Sequence, residues 1–203
     1  MSRLKRRWTF GLVFFIIFAA LTAFAAQEKA TRIIKFAPDT SVRGDRSGSC
    51  WTGSIAVSRP DAWRCMIGNG IFDPCFSSPD GKFVVCNPNP AKGEPGFRLN
   101  LTEPLPKQDM PARVSDVETG SGWLVELADG TMCSPVTGAS GLIGGKVVRY
   151  YCENRKKGED ISLLGDLNSS NPLWTAEKAT TIQGRGGPKL IKSERIAVRT
   201  VWQ

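Results

Sequence analysis

Six cysteines (Cys50, Cys65, Cys75, Cys86, Cys133 and Cys152) constrain this chain more than any other feature, because none of its 203 residues is a histidine. Without imidazole and without a C-x2-C pair, a zinc site is poorly supplied with ligands. An even number of cysteines instead points to three disulfides, although six allow 15 connectivities. Local turn chemistry selects among these. Cys75 to Cys86 reads as a hairpin turning at Pro79-Asp80-Gly81, which brings its two ends together. Thr131-Met132-Cys133 and Val147 to Cys152 are strand-like runs separated by a glycine-rich loop, so Cys133 is paired with Cys152. Cys50 and Cys65 are then joined by elimination. Each bridge closes a short loop and contributes about 2 to 4 kcal/mol, mainly by restricting the unfolded chain.

Disulfides need an oxidising compartment, and the N-terminus supplies a route to one. Arg3, Lys5, Arg6 and Arg7 form a basic head, Trp8 to Phe24 is uncharged and strongly apolar, and Ala23-Phe24-Ala25 ends the run with small residues. That order describes a secretory signal peptide, helical in its apolar part, cleaved after Ala25. The apolar run also approaches the roughly 18 to 20 residues of a membrane-spanning anchor. In both forms the basic head stays inside and everything after Ala26 lies outside the cytoplasm. If the segment is retained, it is the membrane contact.

The targeting segment also carries half of the net charge. Without residues 1–25 the formal charge drops from +8 to +4, since four basic and no acidic residues are removed. No dense Lys/Arg stripe remains, so no nucleic-acid partner is expected. Arg155-Lys156-Lys157 is answered by Glu159 and Asp160 and reads as a solvated loop. A weak attraction to an anionic envelope surface is compatible with the residual charge.

Helical periodicity is scarce after the signal, whereas short strand-like runs are many: Thr31–Phe36, Lys82–Cys86, Phe97–Leu101, Trp123–Leu127, Thr131–Cys133, Lys146–Tyr151 and Ile196–Trp202. Trp123–Leu127 and Thr131–Cys133, joined at Ala128-Asp129-Gly130, form the clearest hairpin. In the last run Ile196, Val198, Thr200 and Trp202 share one face, with Ala197, Arg199 and Val201 on the other. Together these predict a mainly β fold, a small sandwich or barrel with disulfide-braced loops. Six prolines between Asn87 and Pro111 break the composition. The resulting segments are a signal peptide (1–25), an N-terminal segment (26–44), a cysteine-rich lobe with its proline-rich connection (45–111) and a β-rich lobe (112–203). The last two could equally form one domain, 45–203, with Phe97–Leu101 packed into it.

Absence of histidine also removes Ser-His-Asp and Cys-His catalysis. No S-x-x-K dyad occurs after the signal, and Gly138-Ala139-Ser140-Gly141 lacks the spacing of a nucleophile elbow. Gly144-Gly145-Lys146 and Gly184 to Gly187 lack phosphate-loop spacing and read as turn glycines. No D-x-D-x-D-G calcium loop is present. Neither metal nor cofactor is therefore expected.

Carboxylates remain as the acid–base candidates. Asp61 and Asp73 flank the densest polar and aromatic segment, which also holds Trp63, Arg64 and Asn69. These five are the candidate binding residues. Both carboxylates have ordinary alternatives, since each lies next to a proline and can cap a turn. Trp123 and Trp202 sit in strand patterns and are read as core, while Trp51 and Trp63 adjoin bridged cysteines, where a ring packs over a disulfide.

The segments Ser49-Cys50-Trp51-Thr52-Gly53-Ser54, Arg59-Pro60-Asp61-Ala62-Trp63-Arg64-Cys65 and Asp73-Pro74-Cys75-Phe76 resemble a pattern in uncharacterised exported bacterial proteins. So do Glu126 to Thr131, Thr137 to Gly141, Tyr151-Cys152 and Pro172-Leu173-Trp174-Thr175. The resemblance implies a bacterial, secreted, disulfide-bonded module and carries no activity with it. The expectation is a non-catalytic module that binds or supports an envelope or extracellular component. Two rivals are a carboxylate-dependent glycan hydrolase and a protease inhibitor presenting the loop Gly138–Gly145. N-terminal sequencing of protein recovered outside the cytoplasm should find a chain beginning near Ala26; an intact basic head on membrane-embedded protein would establish the anchor form.

Overall fold

The computed structural model describes residues 29–107, 122–153 and 156–203; residues 1–28, which include the signal segment, residues 108–121 and residues 154–155 lie outside them. Thirteen strands and no helix make up the described chain: β1 (Arg32–Ile34), β2 (Arg46–Gly53), β3 (Ala62–Ile67), β4 (Gly70–Ser77), β5 (Phe83–Cys86), β6 (Phe97–Leu101), β7 (Leu124–Leu127), β8 (Met132–Pro135), β9 (Leu142–Ile143), β10 (Lys146–Cys152), β11 (Glu159–Asn168), β12 (Thr175–Gly184) and β13 (Gly187–Trp202). The mainly β expectation holds, and both lobes close on themselves.

Strands β2 to β6 follow one another around a closed five-stranded barrel. Because five is odd, one junction must be parallel, and it is the pairing of β6 with β2. The strand that closes the barrel is thus Phe97–Leu101, from within the proline-rich stretch. In β5 all four residues of Phe83-Val84-Val85-Cys86 are buried, as expected of a strand covered on both sides. The second sheet runs β1-β13-β12-β11-β10-β8-β7, with β9 against β10. Strand β7 pairs with both β8 and the last part of β13, so this sheet also returns on itself. Its interior is filled by Val125, Leu127, Tyr150, Leu163, Trp174 and Val198, among others.

Each disulfide joins residues directly opposite in neighbouring antiparallel strands: Cys50–Cys65 across β2 and β3, Cys75–Cys86 across β4 and β5, and Cys133–Cys152 across β8 and β10. The connectivity is the one expected. The first two bridges meet inside the small barrel, where the sulfurs of Cys65, Cys75 and Cys86 lie within 4.8 Å of one another. Three bridges and no free cysteine suit an oxidising, extracytoplasmic environment.

One sequence expectation, in the last strand, is revised. The N-terminal segment joins the second sheet, where β1 pairs in parallel with β13, and the Thr31 hydroxyl donates to the Val198 carbonyl at 2.6 Å while accepting the Trp174 amide at 2.8 Å. The simple alternation expected in the last strand fails. The β7–β13 register shifts between Val198 and Thr200, placing Arg199 in an irregularity. Val198 and Val201, expected on opposite faces, consequently enter the same core.

A third core joins the barrels. Ala56, Val57, Ala62 and Phe76 of the first pack with Trp123, Leu124, Met132 and Trp202 of the second, and Ile34 and Phe36 close the edge. Phe76 is fully buried there. Phe76→Ala removes an aromatic ring from both sides of that junction and should cost about 3 to 5 kcal/mol in denaturant melts; a loss below about 1 kcal/mol would show that the junction contributes little.

Candidate functional site

The segment from Asp61 to Asp73 spans β3 and the start of β4, and the fold gives its two carboxylates separate tasks. Asp73 has only 1% of its side chain exposed. It accepts a short hydrogen bond from the Ser54 hydroxyl, the Ile55 amide at 3.2 Å and Arg64 Nη1 at 3.0 Å. Ser54 Oγ in turn accepts the amides of Ala56 (3.0 Å) and Val57 (3.1 Å). Asp73 therefore fixes the loop after β2, the loop that carries Ala56 and Val57 into the junction between barrels. Burial pushes its carboxyl above the ordinary carboxylate value, although Ser54, Ile55 and Arg64 all act in the opposite direction.

Asp61 holds Arg59 through two parallel hydrogen bonds, Nε to Oδ1 at 2.9 Å and Nη2 to Oδ2 at 2.6 Å. The same guanidinium reaches the carbonyls of Phe36 (2.6 Å) and Gln203 (3.2 Å) through Nη1 and lies 4.9 Å from the Phe76 ring centroid. A carboxylate that orients an arginine fork in this way is a structural partner. Trp63 is buried among the two barrel disulfides, and its indole nitrogen has no hydrogen-bond partner among the described residues. Trp51 stays exposed, with the Arg64 guanidinium 5.6 Å from its ring. Asn69 is exposed in the β3–β4 turn beside Gly68, whose φ is +54°. These five candidates thus divide between two internal networks, a disulfide core and a turn. None of the five lines the grooves described among these residues.

Polar groups converge elsewhere, in a groove of about 490 Å³ between the barrels. Lys92, from the loop after β5, forms one wall; Arg32, Glu126, Asp129, Thr131 and Glu153 come from the second lobe. Lys92 bridges the gap by pairing with Glu153 at 2.7 Å. Glu126 is held by Arg199 at 3.0 Å and by the Thr200 hydroxyl at 2.9 Å. Asp129 takes Lys178 at 2.5 Å and the Thr131 amide at 3.0 Å. Burial opposes ionisation of Asp129, but Lys178 and Thr131 outweigh it and hold the carboxyl below its ordinary value. Arg32 borders both this groove and an adjoining hollow of about 300 Å³, and has no ion-pair partner among the described residues.

Sequence reasoning did not find this groove. Asp129 was legible only as the turn residue of Ala128-Asp129-Gly130, and nothing local to Arg32, Lys178 or Arg199 says that long-range pairing gathers them. Compared with known proteins, the chain matches no family, no curated protein and no solved structure at a significant level.

Because burial raises the Asp73 carboxyl in the folded state, its favourable contribution is complete below the unfolded value, near 3.8, and is lost as pH rises through the raised folded value. The stability of the wild type relative to Asp73→Asn, followed by denaturant melts from about pH 3 to 7, should therefore fall with rising pH. The other carboxylates are common to both proteins and cancel in that difference. A difference that grows with pH would mean that Arg64 and the hydrogen bonds outweigh burial.

Proposed function

We propose that the chain is a non-catalytic, extracytoplasmic binding module, secreted or held in the bacterial cell envelope, whose ligand seats in the groove between the two barrels. The observation that carries this reading is the groove itself: both lobes wall it, and each of its carboxylates is matched by a fixed cation while Arg32 is left over. The ligand is accordingly polar and presents an anionic group to Arg32. A guanidinium offers such a group a planar fork of donors. Three cross-strand disulfides suit the compartment.

The hydrolase reading receives less support. Glycan hydrolysis needs two facing carboxyl groups available to the sugar. Asp73 is enclosed by its own chain, Asp61 is engaged by Arg59, and the carboxylates of the groove are paired with lysine or arginine. The inhibitor loop Gly138–Gly145 contains β9, and Ile143 of that strand is drawn into a small core with Val148, Leu164 and Ala179.

Capture from native envelope material, followed by mass spectrometry, tests the reading when wild type, Arg32→Glu and Asp61→Asn are run side by side. The component retained by the wild type should bind Arg32→Glu at least about tenfold more weakly, the scale of a lost charge-assisted hydrogen bond. Asp61→Asn should retain it. Equal retention by wild type and Arg32→Glu would remove the groove as the binding site.

A further inference from the structure

Six of the eleven large apolar side chains exposed on the described residues, Leu142, Val147, Tyr151, Ile182, Leu190 and Ile191, collect at one end of the second barrel. Singly scattered apolar residues need no explanation, whereas a majority on two adjacent hairpins does. Strands β12 and β13 extend to their turn at Gly184 and Gly187, beyond the last β11 pairing at Ile182. Strand β7 joins β13 only from Val198 onward, so this end of the hairpin has little sheet beside it. The ladder sets Leu190 opposite Thr181 and Ile182 opposite Lys189, which sends apolar side chains out of both faces. Ile191, 49% exposed, occupies the register shift between the Thr180–Lys192 and Thr181–Leu190 pairs. On one flank Leu142 (65% exposed) and Tyr151 (55% exposed) border a hollow of about 420 Å³ together with Gln183 and Pro188.

The charge of the same hairpin is one-sided. Residues 182–195 hold Arg185, Lys189, Lys192 and Arg195 against Glu194 alone, a net +3. That is most of the +4 carried by residues 26–203. Lys192 pairs with Glu194 at 2.7 Å, while Arg185 and Lys189 have no ion-pair partner among the described residues. The neighbouring acids are already engaged: Glu177 by Lys146 at 2.5 Å and Ser193 at 2.9 Å, Asp160 by the Gln183 amide at 2.8 Å, and Glu159 by Lys156.

We propose that this end of the second barrel docks on an anionic lipid surface, with the β12–β13 hairpin entering the headgroup layer and the β9–β10 hairpin resting beside it. A protein partner would complement one face of the hairpin; a soft, non-directional medium accommodates apolar side chains leaving both. Lysine and arginine stems lie along the apolar layer while their charged heads reach lipid phosphates. Adsorption of this kind grows with buried apolar area and with attraction to anionic lipid. The inference is independent of the groove and would survive its loss.

Sedimentation with vesicles tests it, using the exported protein with the same N-terminus in wild type and variants, so that any contribution from that end is constant. Wild type should bind phosphatidylglycerol-containing vesicles at low salt at least about tenfold more tightly than phosphatidylcholine vesicles, and added salt should weaken the binding. Arg185→Glu with Lys189→Glu, and separately Leu190→Ser with Ile191→Ser, should each reduce binding to anionic vesicles about tenfold or more. Lys82→Glu, an exposed charge change on the other barrel, should leave it unchanged. Equal binding to both vesicle types overturns the proposal, as does anionic binding that neither hairpin pair alters. Loss of an envelope protein from capture by the hairpin variants, with vesicle binding intact, assigns the surface to a protein instead.

Discussion

The ring of Phe76 belongs to the first barrel by sequence and to the junction by contact. It is fully buried, with its centroid 5.0 Å from that of Phe36 and 5.5 Å from that of Trp123. Those two rings come from the N-terminal segment and from the edge of β7, and they approach each other to 5.1 Å. Tilted and edge-on arrangements at such spacing favour aromatic pairs beyond their buried area. Arg59 caps the cluster, stacking on Phe76 while its remaining donors reach Asp61, Phe36 and Gln203. Three separated parts of the chain are fixed at one point. The carbonyl of Gln203 receives the Phe36 amide as well, at 2.9 Å, so the parallel β1–β13 pairing ends directly on this cluster.

The groove follows from that junction. Its first-barrel wall is the loop around Pro90 and Lys92, and its other wall is formed by β7, β8 and the residue after β10. Neither barrel alone encloses it, and the spacing of its walls is set by how Phe76 and Arg59 hold the lobes together. Asp73 contributes at one remove: it organises Ser54, Ser54 orders the amides of Ala56 and Val57, and these residues complete the apolar side of the junction. The residues that looked most like a site in the sequence therefore build the platform on which the groove stands. The basic hairpin of β12 and β13 lies outside the junction and is free to carry a separate contact.

The disulfides and many of the strands were legible because both depend on local signals. Pro79-Asp80-Gly81 makes a turn, and Cys75 and Cys86 lie a few residues to either side of it, within reach of one another across the hairpin. Alternating Trp, Leu, Val and Ile residues likewise mark β7 and the end of β13. Other strands gave no such sign. In β2, Gly48 stands where a Cβ would lie 2.2 Å from the Met66 carbonyl oxygen, so close packing of backbones replaces the apolar side chain that a pattern search needs. In β12, Thr175-Ala176-Glu177-Lys178-Ala179 has residues depleted in strands, and only its place between β11 and β13 makes it one. The irregularity at Arg199 erased a two-residue period that the sequence seemed to state plainly. Asp61 and Asp73 were identifiable as turn-adjacent carboxylates, but their arginine and serine partners are joined to them by tertiary packing, which no local pattern records.

The aromatic junction and Arg59 tie the two barrels into a single thermodynamic unit. Differential scanning calorimetry of the oxidised protein measures this directly, since the ratio of calorimetric to van't Hoff enthalpy counts cooperative units. One symmetric transition with a ratio near 1 is predicted, persisting as one transition at lower temperature in Arg59→Ala. Two resolved transitions in the wild type, or a ratio near 2, would show that the barrels unfold independently and that the junction does not couple them.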